Sequence, residues 1–208
     1  MLDSLCARRV VPVVVVDDAE SALPLARALS DAGLPVAEVT FRTDAAAEAI
    51  RRIASETDVL VGAGTVIRPE QVDLAVEAGA RFVVTPGFSA RVVDRCLELG
   101  VPVVPGVATA TEVIAALDRG LELLKFFPAE ASGGIPALRA LAGPFPDVRW
   151  IPTGGVSSSN AAGYLELPAV RAVGGSWMVA PTLIAAGDFA EVSRLTTEAV
   201  RLAAGARS

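Results

Sequence analysis

The chain contains no histidine. That absence removes Ser-His-Asp and Cys-His nucleophilic machinery and every His-ligated metal site. Cysteine is nearly as scarce. Cys6 and Cys96 are too few for a disulfide framework or a cysteine-rich zinc site, and they fit a reducing compartment. No apolar run is long enough to cross a bilayer, and the N-terminal Met-Leu-Asp-Ser-Leu-Cys-Ala-Arg-Arg reverses the charge order of a signal peptide, so a cytoplasmic protein with no membrane partner is expected. The net charge is −6 with no basic stripe, which argues against a nucleic-acid partner. Lysine is the most instructive scarcity: Lys and Arg together number 18, and only Lys125 is a lysine.

What is present is a chain of 208 residues, 52% apolar and 20% charged, with enough apolar mass for a large core. Short apolar runs recur at even intervals: Val10–Val16, Val36–Phe41, Val59–Ala63, Arg81–Thr85, Val101–Pro105, Leu121–Phe127, Val148–Pro152 and Val170–Gly174. Most are Val-rich and continuous rather than alternating, as strands covered on both faces should be. Between them lie segments with helical spacing. One carries Ala22, Leu25, Ala26 and Leu29, another Ala46, Ala49, Ile50 and Ile53, and a third Val72, Ala75 and Val76. Thr43-Asp44 and Ser157-Ser158-Ser159 are candidate helix caps, Gly33, Gly79 and Gly100 follow helical runs, and Pro24 predicts a kink or a shifted helix start. Alternating strands and helices imply a parallel sheet with right-handed crossovers. Eight strands in an unbroken series imply an α/β fold of one (β/α)8 TIM barrel domain over 1–208. A doubly wound open sheet is the alternative, but no Gly-rich dinucleotide fingerprint follows the first run, where Val16 leads into Asp17-Asp18.

In a barrel the carboxyl ends of the strands build the active site. The period of two puts Glu38, Thr40 and Arg42 on one face of the second run. They read either as a structural ion pair or as an acid/base carboxylate beside a guanidinium able to hold a substrate carboxylate. The third run ends in Gly62-Ala63-Gly64-Thr65, the fourth in Thr85-Pro86-Gly87 and the fifth in Pro105-Gly106-Val107; each could be a simple turn. In the sixth, Leu123, Lys125 and Phe127 share a face, so an inward Lys125 lies among apolar walls. An amine there is a candidate Schiff-base nucleophile, because desolvation favours its neutral form whereas a guanidinium stays charged. The last two runs end in Thr153-Gly154-Gly155 and Gly174-Gly175-Ser176, the strand ends where barrels commonly cradle phosphate. These features together imply a phosphorylated substrate with a carbonyl for the lysine and a carboxylate for Arg42.

With these residues in view, the chain resembles the 2-dehydro-3-deoxy-phosphogluconate (KDPG) aldolase family, which includes the 4-hydroxy-2-oxoglutarate (KHG) aldolases. The resemblance covers essentially the whole chain. It rests on Glu38-Val39-Thr40-Phe41-Arg42-Thr43, Gly62-Ala63-Gly64-Thr65-Val66, Thr85-Pro86-Gly87, Pro105-Gly106-Val107, Lys125-Phe126-Phe127-Pro128-Ala129-Glu130, Pro152-Thr153-Gly154-Gly155 and Gly174-Gly175-Ser176-Trp177. It implies a metal-independent class I aldolase without cofactor, cleaving 2-dehydro-3-deoxy-6-phosphogluconate to pyruvate and glyceraldehyde 3-phosphate in the Entner–Doudoroff pathway. It also implies a homotrimer. Lys125 would form the imine, Glu38 act as general acid/base, and Arg42 and Thr65 hold the carboxylate. Gly154, Gly155, Gly175 and Ser176 would take the phosphate, with Pro86, Phe127 and Thr153 shaping the pocket. Where some relatives carry a basic residue after the first strand, this chain has Asp17 and Asp18. That departure leaves open the preference for phosphorylated over unphosphorylated substrate; within the same chemistry the alternative is an aldolase acting mainly on 4-hydroxy-2-oxoglutarate or an epimeric phosphogalactonate. A non-catalytic sugar-phosphate-binding barrel, or a barrel isomerase that needs no imine, is the alternative of a different class. Tyr164, Trp150 and both cysteines read as packing residues.

Overall fold

The computed structural model describes residues 2–206; residues 1, 207 and 208 of the expected domain lie outside the described residues. The first half runs α1 (Leu2–Cys6), β1 (Val10–Val14), α2 (Ala22–Asp31), β2 (Val36–Thr40), α3 (Ala46–Glu56), β3 (Leu60–Gly64), α4 (Pro69–Glu77), β4 (Val83–Val84) and α5 (Ala90–Glu98). The second half runs β5 (Val103–Val104), β6 (Gly106–Val107), α6 (Ala110–Leu117), β7 (Leu123–Phe126), α7 (Gly134–Ala142), β8 (Arg149–Pro152), α8 (Ala161–Leu165), β9 (Val173–Gly175), α9 (Pro181–Ala185) and α10 (Phe189–Gly205).

Every expected run contains strand, and all the strand pairings are parallel. The fifth run differs in being divided. Pro105 has no N–H to donate and separates β5 from β6, while its carbonyl accepts from the Lys125 N–H at 2.9 Å. One sheet has the order β5-β4-β3-β2-β1-β9 and another the order β6-β7-β8. Isolated parallel bridges, Trp150 to Val170 and Thr153 to Gly174, link β8 and the residue after it to β9 and the segment before it. The outcome is an α/β fold with a parallel sheet.

The strands are Val-rich because both faces are covered: all five residues of β2 are buried. Helices reach the sheet through small and branched residues at three- and four-residue spacing, as with Val192, Thr196, Ala199 and Ala203 on α10. The largest fully buried side chains are Trp150, Tyr164, Phe82 and Phe126, with Phe126 and Trp150 edge to face at 6.4 Å. Gly33, Gly79 and Gly100 adopt φ of 81°, 93° and 64° just past α2, α4 and α5, the left-handed conformation that ends helices. Pro24 shifts a start rather than kinking a helix. A 3-10 turn at Ala19–Ser21 precedes α2, so Pro24 falls in the first turn, where no N–H is required.

Two expected caps are not made. Thr43 instead donates its hydroxyl to the Val16 carbonyl at 2.5 Å, pinning the segment after β2 to the end of the first run, and α3 starts at Ala46 without a side-chain cap. Ser157 and Ser159 bond each other at 2.8 Å, and α8 starts after Asn160. Both cysteines are buried, and burial pushes the Cys6 thiol up to about 11 and Cys96 up to about 12, keeping them protonated at neutral pH. Among the described residues, no helix is long and apolar enough to cross a membrane.

Candidate active site

Two strands far apart in sequence bring Glu38 and Lys125 together. Register puts Glu38 of β2 beside Val13 and Gly62, and Lys125 of β7 beside Gly106 and Ile151. Lys125 Nζ donates to Glu38 Oε1 at 3.3 Å, and the two residues are only 4% and 3% exposed. Lys125 Nζ also lies 5.0 Å from the centroid of the Phe127 ring. A buried ion pair is a weak source of stability, because desolving two charges offsets most of their attraction. As chemistry the arrangement is more telling. It holds an amine against a base that can take its proton, with an aromatic wall beside it.

The backbone around the pair is shaped to admit it. A Cβ on Gly64 would come within 2.6 Å of Glu38 Cγ, so the carboxylate lies where a side chain on β3 would otherwise stand. The next residue, Thr65, has φ 58°, a left-handed conformation that is an outlier for a β-branched residue. Strain of this kind clusters at ligand clamps, and here it follows the glycine that faces Glu38. A Cβ on Gly106 would come within 2.8 Å of the Gly87 amide nitrogen, so the turn carrying Pro86 packs directly on β6, beside Lys125.

The phosphate-type residues gather at a second place. Gly154 and Gly155 both have positive φ, 96° and 78°, directly after Thr153. A Cβ on Gly154 would lie 3.1 Å from Pro128 Cα and 3.2 Å from the Phe127 ring, so this turn packs against the segment that follows Lys125. Thr153 is buried and Gly174 gives it room: a Cβ there would meet the Thr153 Cγ2 methyl at 3.0 Å. Gly175 ends β9 and Ser176 is exposed just beyond it. Arg42 stands apart. It lies past the end of β2 and lines a cavity of about 320 Å³ with Phe41, Thr43, Arg68 and Gln71, and among the described residues no ion pair joins it to Glu38. The expected face-sharing of Glu38 and Arg42 ends where β2 ends, at Thr40, whose hydroxyl donates to the Val14 carbonyl at 2.9 Å. Among the described residues, no group of three or more Cys, Asp or Glu side chains is arranged to hold a metal ion.

The sequence model of the KDPG and KHG aldolase family matches residues 2–195. The chain belongs to the KDPG and KHG aldolase family. A 2-dehydro-3-deoxy-phosphogluconate aldolase of Treponema pallidum is 52% identical over 195 residues, covering 93% of each chain. A KDPG aldolase structure from Legionella pneumophila, with pyruvate captured as a covalent carbinolamine intermediate, superposes with a TM-score of 0.90 at 43% identity over 93% of this chain and 95% of that one. A 2-keto-3-deoxy-6-phosphogluconate aldolase of Zymomonas mobilis, solved with 3-phosphoglycerate, gives a TM-score of 0.88 at 43% identity over 96% of both chains.

One contact near the KDPG-family motif escaped the sequence reading. Tyr164, a packing residue by its sequence context, donates its hydroxyl to the Glu130 carboxylate. Its phenol is pushed upward by burial and further by that carboxylate. The available signal was the residue itself, since a lone tyrosine in an apolar helix that becomes buried needs a partner for its hydroxyl.

Proposed function

We propose that this protein is a class I aldolase that cleaves 2-dehydro-3-deoxy-6-phosphogluconate to pyruvate and glyceraldehyde 3-phosphate. The reading joins family membership to one observation above all, the buried contact between the chain's single lysine and Glu38. Glu38 accepts a proton from the Lys125 ammonium, and the free amine attacks the C2 carbonyl carbon to form a carbinolamine. Loss of water, its departing oxygen protonated through Glu38, leaves a protonated imine. Glu38, a carboxylate again once the departing water has taken its proton, accepts the C4 hydroxyl proton as the C3–C4 bond breaks. The bonding electrons move into the imine to give an enamine, and the aldehyde leaves. Protonation of the enamine at C3 and hydrolysis release pyruvate and restore Lys125. The captured pyruvate carbinolamine of the Legionella relative supports this sequence of bonds.

In this reading the Thr65 hydroxyl holds the substrate carboxylate together with Arg42, whose exposed guanidinium would turn inward from its place past the end of β2, and Pro86 and Phe127 wall the reacting carbons. Gly154, Gly155, Gly175 and Ser176 take the phosphate, for which the left-handed turn at 154–155 and the relative with 3-phosphoglycerate are the support. The division of the fifth strand at Pro105 and the two bridges beside β8 support a closed (β/α)8 barrel forming one domain, with these groups at its carboxyl-end mouth. A second reading, preference for the unphosphorylated 4-hydroxy-2-oxoglutarate, draws support from exposed Asp17 and Asp18, whose charge would oppose a phosphate approaching past β1.

Borohydride reduction with and without pyruvate, followed by peptide mapping, tests the mechanism. A single pyruvate-derived adduct on Lys125 is expected. A folded protein that gains none would rule out the imine. Comparing steady-state turnover of the two substrates decides between the readings.

A further inference from the structure

The segment after Lys125 and the left-handed turn after β8 are bound to each other by backbone. The Ala129 N–H donates to the Thr153 carbonyl at 2.8 Å and the Glu130 N–H to the Gly154 carbonyl at 3.0 Å. The Gly155 carbonyl is taken from another side, by Asn160 Nδ2 at 3.1 Å. In a planar trans peptide the N–H points opposite its carbonyl. Fixing the Gly154 and Gly155 carbonyls therefore aims the N–H groups of Gly155 and Val156 the other way, as an anion-binding turn requires.

Glu130 contributes more than its backbone. Its Cβ and Cγ fill the space over Gly155, where an added Cβ would lie 2.6 and 2.7 Å from them. Its carboxylate points to the start of α7, since a Cβ on Gly134 would stand 3.4 Å from Oε1 and 3.6 Å from the Tyr164 hydroxyl. Tyr164 is fully buried on α8, the helix that follows the turn, and its hydroxyl donates to that carboxylate. The negative charge is thereby tied down beside a helix start and turned from the turn that would receive a phosphate.

We infer that Glu130 and Tyr164 are positioning residues for the phosphate-holding turn at Gly154–Gly155, and so set the preference for phosphorylated over unphosphorylated substrate. The inference rests on the aldolase reading for its substrates and on the turn's geometry for its residues. Neither side chain touches the reacting carbons. Without the Tyr164 hydroxyl, the Glu130 carboxylate loses the bond that keeps it away from the turn and can swing toward the incoming phosphate.

The test compares wild type with Tyr164→Phe and Glu130→Gln. Tyr164→Phe should raise KM for the phosphorylated substrate about tenfold, the scale of a lost hydrogen bond to a charged group, while kcat stays within about twofold. Kinetics on 4-hydroxy-2-oxoglutarate and trapping of pyruvate by borohydride should be unchanged. Glu130→Gln keeps an acceptor for Tyr164, so KM should stay within about threefold. Inorganic phosphate, read by the thermal shift it produces, supplies a probe independent of turnover. Its dissociation constant should also rise about tenfold in Tyr164→Phe. Equal losses on both substrates, or unchanged KM and phosphate binding in a folded Tyr164→Phe, would overturn the inference. If no protein forms an imine yet phosphate binding still weakens in Tyr164→Phe, the aldolase reading fails and the positioning role stands.

Discussion

Opposite charges meet in two settings in this molecule, and the closer contacts are the less consequential. On the helical exterior, Arg194 reaches Glu191 and Glu198 at 2.6 Å, Arg95 reaches Asp73 at 2.8 Å and Glu98 at 2.9 Å, and Arg52 reaches Glu20 at 2.8 Å. The guanidinium bonds hold Glu191 and Glu20 below the usual carboxylate range. In the interior the contact is a looser 3.3 Å between Lys125 and Glu38, with both side chains within 5% of full burial. Water screens the first set, so each pair contributes little, on the order of 0.5 kcal/mol. In the second nothing screens the charges, and moving a proton between them changes what the amine can do. The arginine fork suits lasting pairing and the lysine suits a proton that must leave, which accounts for where the single lysine sits.

Three substitutions would break or sharpen this contrast. Lys125→Arg keeps the charge beside Glu38 but cannot form an imine, and turnover should fall at least about a thousandfold, read by coupled assay of pyruvate release. Near-normal turnover would mean that the interior pair is structural after all. Gly64→Ala should come next. The added methyl occupies the place of the Glu38 side chain, which must swing away from Lys125, and a displacement near 1 Å costs about a hundredfold in kcat. An unaffected kcat in a folded variant would show that the carboxylate need not sit where it does. Arg194→Ala should do least. Although it removes two contacts of 2.6 Å, stability in urea should change by no more than about 0.5 kcal/mol and turnover not at all. A loss above about 1.5 kcal/mol would place the exterior network on a par with the core.

Much of this was legible in the sequence because different physical signals agreed. Val-rich runs separated by helical spacing carried the strands, and glycines after the runs carried the helix ends at Gly33, Gly79 and Gly100. A chain without histidine left few candidates for catalysis, and a lysine between apolar neighbours was the one that the structure places against Glu38. What escaped depended on tertiary competition. Thr43 could cap α3 by its residue type, but the Val16 carbonyl was nearer once β1 and β2 paired. The break at Pro105 could be suspected from a proline in a strand, yet the partner of its carbonyl, Lys125, is fixed only by register. The period of two predicted Arg42 beside Glu38, but the period lapses where the strand stops. Tyr164 and Glu130 meet from different elements, and no spacing within either segment encodes that meeting.

The scarcity of lysine has a consequence for the protein's own durability. Aldehydes condense with side-chain amines wherever they find them. An enzyme whose product is a reactive aldehyde is bathed in it at the mouth of its own active site. This chain meets that product with an exterior whose cations are guanidinium groups, and its one side-chain amine is only 4% exposed beside Glu38. Among its lysines, the sole target for imine chemistry is therefore the one at which that chemistry is useful.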